Sequence, residues 1–190
     1  MIEVGEIPDM DWQNNDLVLY HGCSDQSLFP VNPGGIVPGV PNHQISPSAG
    51  AKRPDFGPGF YATSWIVQAQ SWANLRALKL RPRYPDVRAV VLELCISRNM
   101  FAELETLFFT SNRSDHFPFV RYCRNGNRPH APKDRRNDPY DVIIGPVSVG
   151  FQPLVIQSSD QICFHTRRAT SIIPPVSVHS VGDPLFAIAQ

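Results

Sequence analysis

The sequence predicts a single domain of the mixed α+β class. One amphipathic helical stripe, over residues 65–80, stands among several short runs of β-branched and aliphatic residues. The two strongest of these, residues 87–96 and 140–147, are short and rich in Val, Leu and Ile, as strands are. Nineteen prolines in 190 residues break the chain into short elements with long connections; the usual share is roughly 5%.

Composition narrows the function classes. Hydrophobic residues make up 42% and charged residues 18%, which describes a globular chain. The formal net charge is zero, so no whole-molecule field draws the protein to nucleic acid or to a membrane. Cys23, Cys95, Cys123 and Cys163 are far apart and form no C-x-x-C pair, so no zinc site is expected. All four read as reduced thiols, with Cys95 and Cys163 in apolar strands where a buried thiol is ordinary. The first residues lack the basic and apolar regions of a signal peptide. No apolar run approaches the roughly 18 residues that cross a bilayer. The expected compartment is cytoplasmic, with export lacking a classical signal left open.

The elements follow in order. Residues 1–15 are polar and acidic, with Trp12 as their large anchor, and read as an arm before a domain over 16–190. Residues 16–22 form a buried strand ending at Gly22, with His21 at its end. There its ring either faces a cleft or is satisfied by a backbone carbonyl. Residues 27–55 hold six prolines and four glycines, and read either as a folded flap beside a cleft or as a solvated loop. The stretch Asp55-Phe56-Gly57-Pro58-Gly59-Phe60-Tyr61-Ala62-Thr63-Ser64 reads as glycine turn, short aromatic strand and helix start. Thr63 or Ser64 is the natural N-cap. The helix places Ile66, Ala69, Ala73, Ala77 and Leu80 on one stripe, with Trp72 beside it. Phe60 and Tyr61 are either core aromatics or, for Tyr61, a ring presented to a planar ligand.

After the strand at 87–96, residues 100–110 carry Met100, Phe101, Leu104, Leu107 and Phe108 at helical spacing and predict a second helix. Residues 116–124 predict a third, with Pro118 in its first turn. The 124–139 loop has no periodicity. Seven basic against three acidic residues between 113 and 138 leave an excess of four positive charges. Such a loop holds an anionic partner or is solvated surface. The strand at 140–147 ends at Gly145-Pro146. In the last clear strand, residues 158–166, alternation puts Gln161, Cys163 and His165 on one face and Asp160, Ile162 and Phe164 on the other. A buried glutamine there must find partners for its amide, in a network or in a ligand. The tail, with Leu185 to Ile188, predicts an edge strand.

Four segments in this order carry a resemblance: Leu19-Tyr20-His21-Gly22; Asp55-Phe56-Gly57 through Gly59-Phe60-Tyr61 to Thr63; Tyr140-Asp141 through Ile143-Ile144-Gly145-Pro146-Val147; and Asp160-Gln161-Ile162 through Phe164-His165-Thr166. Between Leu17 and Arg168 the chain resembles an uncharacterised bacterial-type branch of ADP-ribosyltransferase-like domains. That branch is related to the His-Tyr-Glu group of diphtheria-toxin-like and poly-ADP-ribose polymerase enzymes. The resemblance implies a split β-sandwich of two small, mainly antiparallel sheets with flanking helices, and NAD⁺ in the cleft. By it His21 bonds the adenosine ribose, Gly22 lets backbone approach the nicotinamide amide, Tyr61 stacks on nicotinamide and Thr63 steadies the site. Gln161 falls where the group's glutamate grips the nicotinamide ribose. The implied catalytic set is thus His21, Tyr61 and Gln161, with NAD⁺ as substrate and no metal. A glutamine accepts the ribose hydrogen bond but brings no charge to the developing cation and is no general base.

The functions to separate are transfer of ADP-ribose to an acceptor, NAD⁺ hydrolysis, and binding of NAD⁺ or an ADP-ribose-like ligand without turnover. The acceptor is a protein side chain, a nucleic acid or a small molecule. The basic loop slightly favours an anionic one.

Overall fold

The computed structural model describes residues 14–28, 54–110, 115–127, 140–150, 154–174 and 177–188. Within them, β1 (Leu17–Ser24), β3 (Ala89–Ile96) and β7 (Ser177–Val181) form an antiparallel sheet in the order β1-β3-β7. A second sheet runs β2 (Phe60–Ala62), β6 (Gln161–Phe164), β5 (Val142–Gly145), β4 (Thr106–Phe108). Its pairings are antiparallel except β4 with β5. Among the described residues, five helices complete the architecture: α1 (Asp25–Leu28), α2 (Ile66–Leu80), α3 (Arg98–Ala102), α4 (His116–Arg124) and α5 (Arg167–Ser171). The protein is therefore mixed α and β, with two small sheets and a few helices, compatible with the α+β class.

Alternation along the strands sorts the core into layers. Leu19, Leu94 and Ile96 of the first sheet meet Ala62, Val142, Ile162 and Phe164 of the second in one buried cluster. On the far side of the first sheet, Ala89 and Val91 pack against Ala69, Ala73 and Ala77 of α2. On the far side of the second, Ile143 and Cys163 pack with Phe119, Val120 and Cys123 of α4. Small residues let α2 come close. A Cβ on Gly22 would lie 2.0 Å from the Ala69 carbonyl oxygen, so only glycine fits there. The sheets touch where Tyr20 and Thr63 exchange backbone hydrogen bonds of 2.8 and 2.9 Å.

Several expectations are corrected. The helix predicted over 100–110 is the five-residue α3 followed by strand β4. Ser97 caps α3 and Glu103 ends it. Glu105 then accepts backbone hydrogen bonds from Asp141 and Val142, which draws residues 106–108 into the sheet. For so short an apolar run, strand pairing decides where spacing alone is ambiguous. Helix α2 is capped by neither Thr63 nor Ser64; its N-cap is Trp65, without a side-chain cap bond. The Thr63 and Ser64 hydroxyls donate instead to Asp160, whose Oδ1 also accepts the Ser64 N–H at 2.9 Å. Strand β1 continues beyond Gly22 to Ser24. Cys95 is exposed, since α2 covers Ala89 and Val91 and Cys95 lies further along that face. The edge strand of the tail is Ser177–Val181, while Leu185 and Phe186 pack beside α2. The arm to residue 13 and residues 29–53 lie outside the described residues, as do Arg113, Arg128, Lys133, Arg135 and Arg136.

Candidate functional site

The residues singled out from the sequence lie around the place where β1 meets β2, on two faces: His21 stacks on Phe60, which packs between the sheets, while Tyr61 and Gln161 share with Cys163 the face of the second sheet turned to α4. His21 lies on β1, beside the Tyr20–Thr63 bridge. Its Nδ1 sits 2.5 Å from the Tyr61 carbonyl oxygen and its ring stacks on Phe60 with centroids 4.6 Å apart. A carbonyl only accepts, so Nδ1 carries the proton in this contact. Gly22 follows, with α2 filling the space its missing side chain leaves.

Tyr61, opposite Cys163 in the β2–β6 ladder, is half-buried. Its hydroxyl donates to the Gly57 carbonyl at 2.7 Å and accepts the Phe56 N–H at 3.1 Å. Gly57 has φ of +80°, a conformation that favours glycine, so the turn closes onto the phenol. Burial, with Cys163 beside it, holds the Tyr61 hydroxyl well above its ordinary range. It stays protonated at neutral pH and serves as a donor. Thr63 donates to Asp160 at 2.5 Å and accepts the Trp65 N–H at 3.1 Å, so its hydroxyl ties the start of α2 to the start of β6.

Gln161 opens β6 and is 8% exposed, as a buried, networked glutamine requires. Its Nε2 donates to Asp55 Oδ2 at 2.8 Å and to the Pro146 carbonyl at 3.0 Å. Both partners only accept, which settles which end of the amide is nitrogen. Its Oε1 accepts no hydrogen bond among the described residues. Asp160, one position earlier, turns its carboxylate to Thr63 and Ser64, the opposite assignment that strand alternation predicts.

Asp55 and Arg124 are the residues that sequence reasoning left out of the site. The Asp55 carboxylate pairs with the Arg124 guanidinium through Nε and Nη2, accepts the Ser148 N–H at 2.8 Å, and holds Gln161. It is thereby bonded to α4, to the segment after β5 and to β6. Arg124 belongs to the basic loop by sequence, yet it is an internal ion partner with 12% of its side chain exposed. The sequence signal was indirect: a buried glutamine needs acceptors for its amide, and nothing local supplies them.

On the face turned to α4, the Asp55–Phe56 segment joins Tyr61, through the Phe56 N–H, to Gln161, through the Asp55 carboxylate. His21 enters through the Tyr61 backbone.

Beside the turn, the ring of His165 donates from Nδ1 to the Pro58 carbonyl at 2.7 Å, and its Nε2 is buried without a partner among the described residues. Burial pushes its pKa down to about 4. The unfolded chain titrates this group near 6.5, so it binds the proton first and folding stability falls as pH drops from about 6.5 toward 4. Each unit of that shift corresponds to roughly 1.4 kcal/mol. His165→Asn keeps a donor near Nδ1 and removes the titration. Thermal unfolding across this pH window is expected to show a flatter slope in the variant; equal slopes would remove His165 as a source.

Residues 41–149 match the model of a family described as "Protein of unknown function (DUF3990)". The match spans more than half of the chain, and the chain belongs to that family. It includes Asp55, Tyr61 and Arg124, and leaves His21 and Gln161 on either side. No curated protein and no solved structure matches the chain. Among the described residues, no helix is long and apolar enough to cross a membrane.

Proposed function

We propose that this protein is an NAD⁺-dependent ADP-ribosyltransferase, with its two sheets as the halves of a split β-sandwich and the dinucleotide bound at their junction. The orientation of Gln161 carries the reading. Its two N–H groups are held internally and its carbonyl oxygen is left to accept, the polarity that a ribose hydroxyl needs. The half-buried Tyr61 ring lies two positions away on the paired strand, available to stack on nicotinamide. In the reaction, nicotinamide leaves with the electrons of its bond to ribose C1′, and the acceptor attacks the resulting oxocarbenium centre and loses a proton. Gln161 Oε1, holding the 2′-hydroxyl, places the negative end of an amide dipole near that cation. His21 orients the adenosine end, and the rest of the rate gain comes from holding a strained, ready conformer.

The test is incubation with NAD⁺ followed by mass spectrometry of every product. Nicotinamide with ADP-ribose on an acceptor is expected. Nicotinamide with only free ADP-ribose would assign a glycohydrolase. Intact NAD⁺ after prolonged incubation would leave a binding module and end the enzyme reading.

For binding, His21→Ala and Tyr61→Ala are each expected to weaken NAD⁺ about three- to tenfold, from a lost hydrogen bond or stack of roughly 0.5–1.5 kcal/mol. Tyr61→Phe keeps the ring while removing the bond to Gly57, so it separates stacking from the turn's anchor. Calorimetry that found unchanged affinity in both alanine variants would contradict the assignment.

A further inference from the structure

We propose that Asp55 is a positioning residue for Gln161, and that it makes the site specific for an uncharged amide at that position. As far as turnover is concerned, this rests on the function proposed above; the orientation of the amide does not. Both N–H bonds of Gln161 end on acceptors, Asp55 Oδ2 and the Pro146 carbonyl. A flipped amide would set its own oxygen against a carboxylate and a carbonyl, exchanging two attractions for two repulsions. Asp55 cannot turn away, because Arg124 holds one oxygen and the Ser148 N–H the other. The carboxylate behind the amide nitrogen also polarises the group, drawing electron density toward Oε1, the atom directed at the cation. The negative charge of the pair thus resides on Asp55, and a glutamate at 161 would bring a second carboxylate against it.

The consequence is testable as a coupling between the two positions. Asp55→Asn is expected to lower kcat about 10- to 100-fold, the cost of a loosened reacting geometry, with KM changed less than about twofold. Gln161→Glu alone is expected to be nearly inactive. In the Asp55→Asn/Gln161→Glu double variant, the new amide at position 55 keeps its Oδ1 on Arg124. Its Nδ2 turns to the new carboxylate and gives up the Ser148 bond, while the Pro146 carbonyl still opposes that carboxylate, so recovery is partial. The double variant is expected to recover at least about tenfold over Gln161→Glu, consistent with restored pairing at a buried site. Thermal unfolding of each variant separates a lost fold from a lost orientation. An orthogonal measurement needs no variant to be active. In the wild-type protein the Gln161 side-chain amide protons, assigned by their loss in Gln161→Ala, are expected to exchange slowly with solvent. Exchange as fast as in free glutamine would overturn the proposal, as would a double variant no better than Gln161→Glu in a protein whose wild type turns over NAD⁺. A wild type without turnover removes the enzyme reading, while the role of Asp55 is still decided by whether these amide protons exchange faster in Asp55→Asn than in the wild type.

Discussion

Replacing Gln161 by alanine is expected to lower NAD⁺ turnover about 10²- to 10³-fold, the range seen when one preorganised polar group is removed from a transition state. Its carbonyl would contact the ribose most strongly as positive charge develops at C1′, so the loss falls on kcat and leaves KM little changed. The fold should tolerate the change, because Asp55 keeps Arg124 and Ser148 as partners and stays satisfied. The Pro146 carbonyl loses a donor, a modest cost for an acceptor on a half-buried residue. Steady-state kinetics of nicotinamide release, with unfolding measured alongside, checks both halves. Turnover undiminished in Gln161→Ala would mean that the third segment is misplaced and the mechanism with it.

Arg124→Ala is expected to destabilise the protein by about 3 kcal/mol or more, the usual result of leaving one member of a buried ion pair behind. Asp55 and Arg124 side chains are 9% and 12% exposed, so neither group has ready access to water. Arg168 supplies the control. It also meets an aspartate, Asp141, at 3.4 Å, but the arginine itself is 58% exposed. The 9%-exposed Asp141 keeps the Thr166 hydroxyl and the Glu105 N–H when Arg168 is removed, so the loss is expected to be about 0–1 kcal/mol, as for surface pairs. Denaturant unfolding of the two alanine variants should therefore separate them clearly. Equal effects would show that the Asp55–Arg124 pair is solvated in solution, and would weaken the argument that Asp55 holds the Gln161 amide.

What could be read from sequence follows from the range of the interaction involved. Helices α2 and α4 and strands β3, β5 and β6 were legible because a periodic apolar pattern is a local property. Alternation along β6 sorted Ile162 and Phe164 from Cys163 into two separate cores, and turned Asp160 and Gln161 to different partners. Strand β4 was not legible, because residues 106–108 are strand only where β5 offers them an edge. The exposure of Cys95 depends on where α2 ends over the sheet, which no property of β3 encodes. The Asp55–Arg124 pair joins residues 69 positions apart. Each of the two has ordinary neighbours in the sequence, so nothing local marks either as half of a buried network.

The strand order also governs how the molecule is made. Strand β1 pairs with β3, β3 with β7 and β2 with β6, so much of both sheets joins distant parts of the chain. Gln161 meets Asp55 across 106 residues. Topologies dominated by such contacts fold slowly, because loop entropy is lost before the contacts that offset it form. At roughly 5–20 residues per second of synthesis, His21 and Tyr61 leave the ribosome several seconds before the strand that carries Gln161. In that interval the edges of β2 and β3 lack partners and Asp55 lacks the amide it will hold. A chain truncated before β6 is therefore expected to leave those edges unpaired and to aggregate rather than fold as a weakened protein.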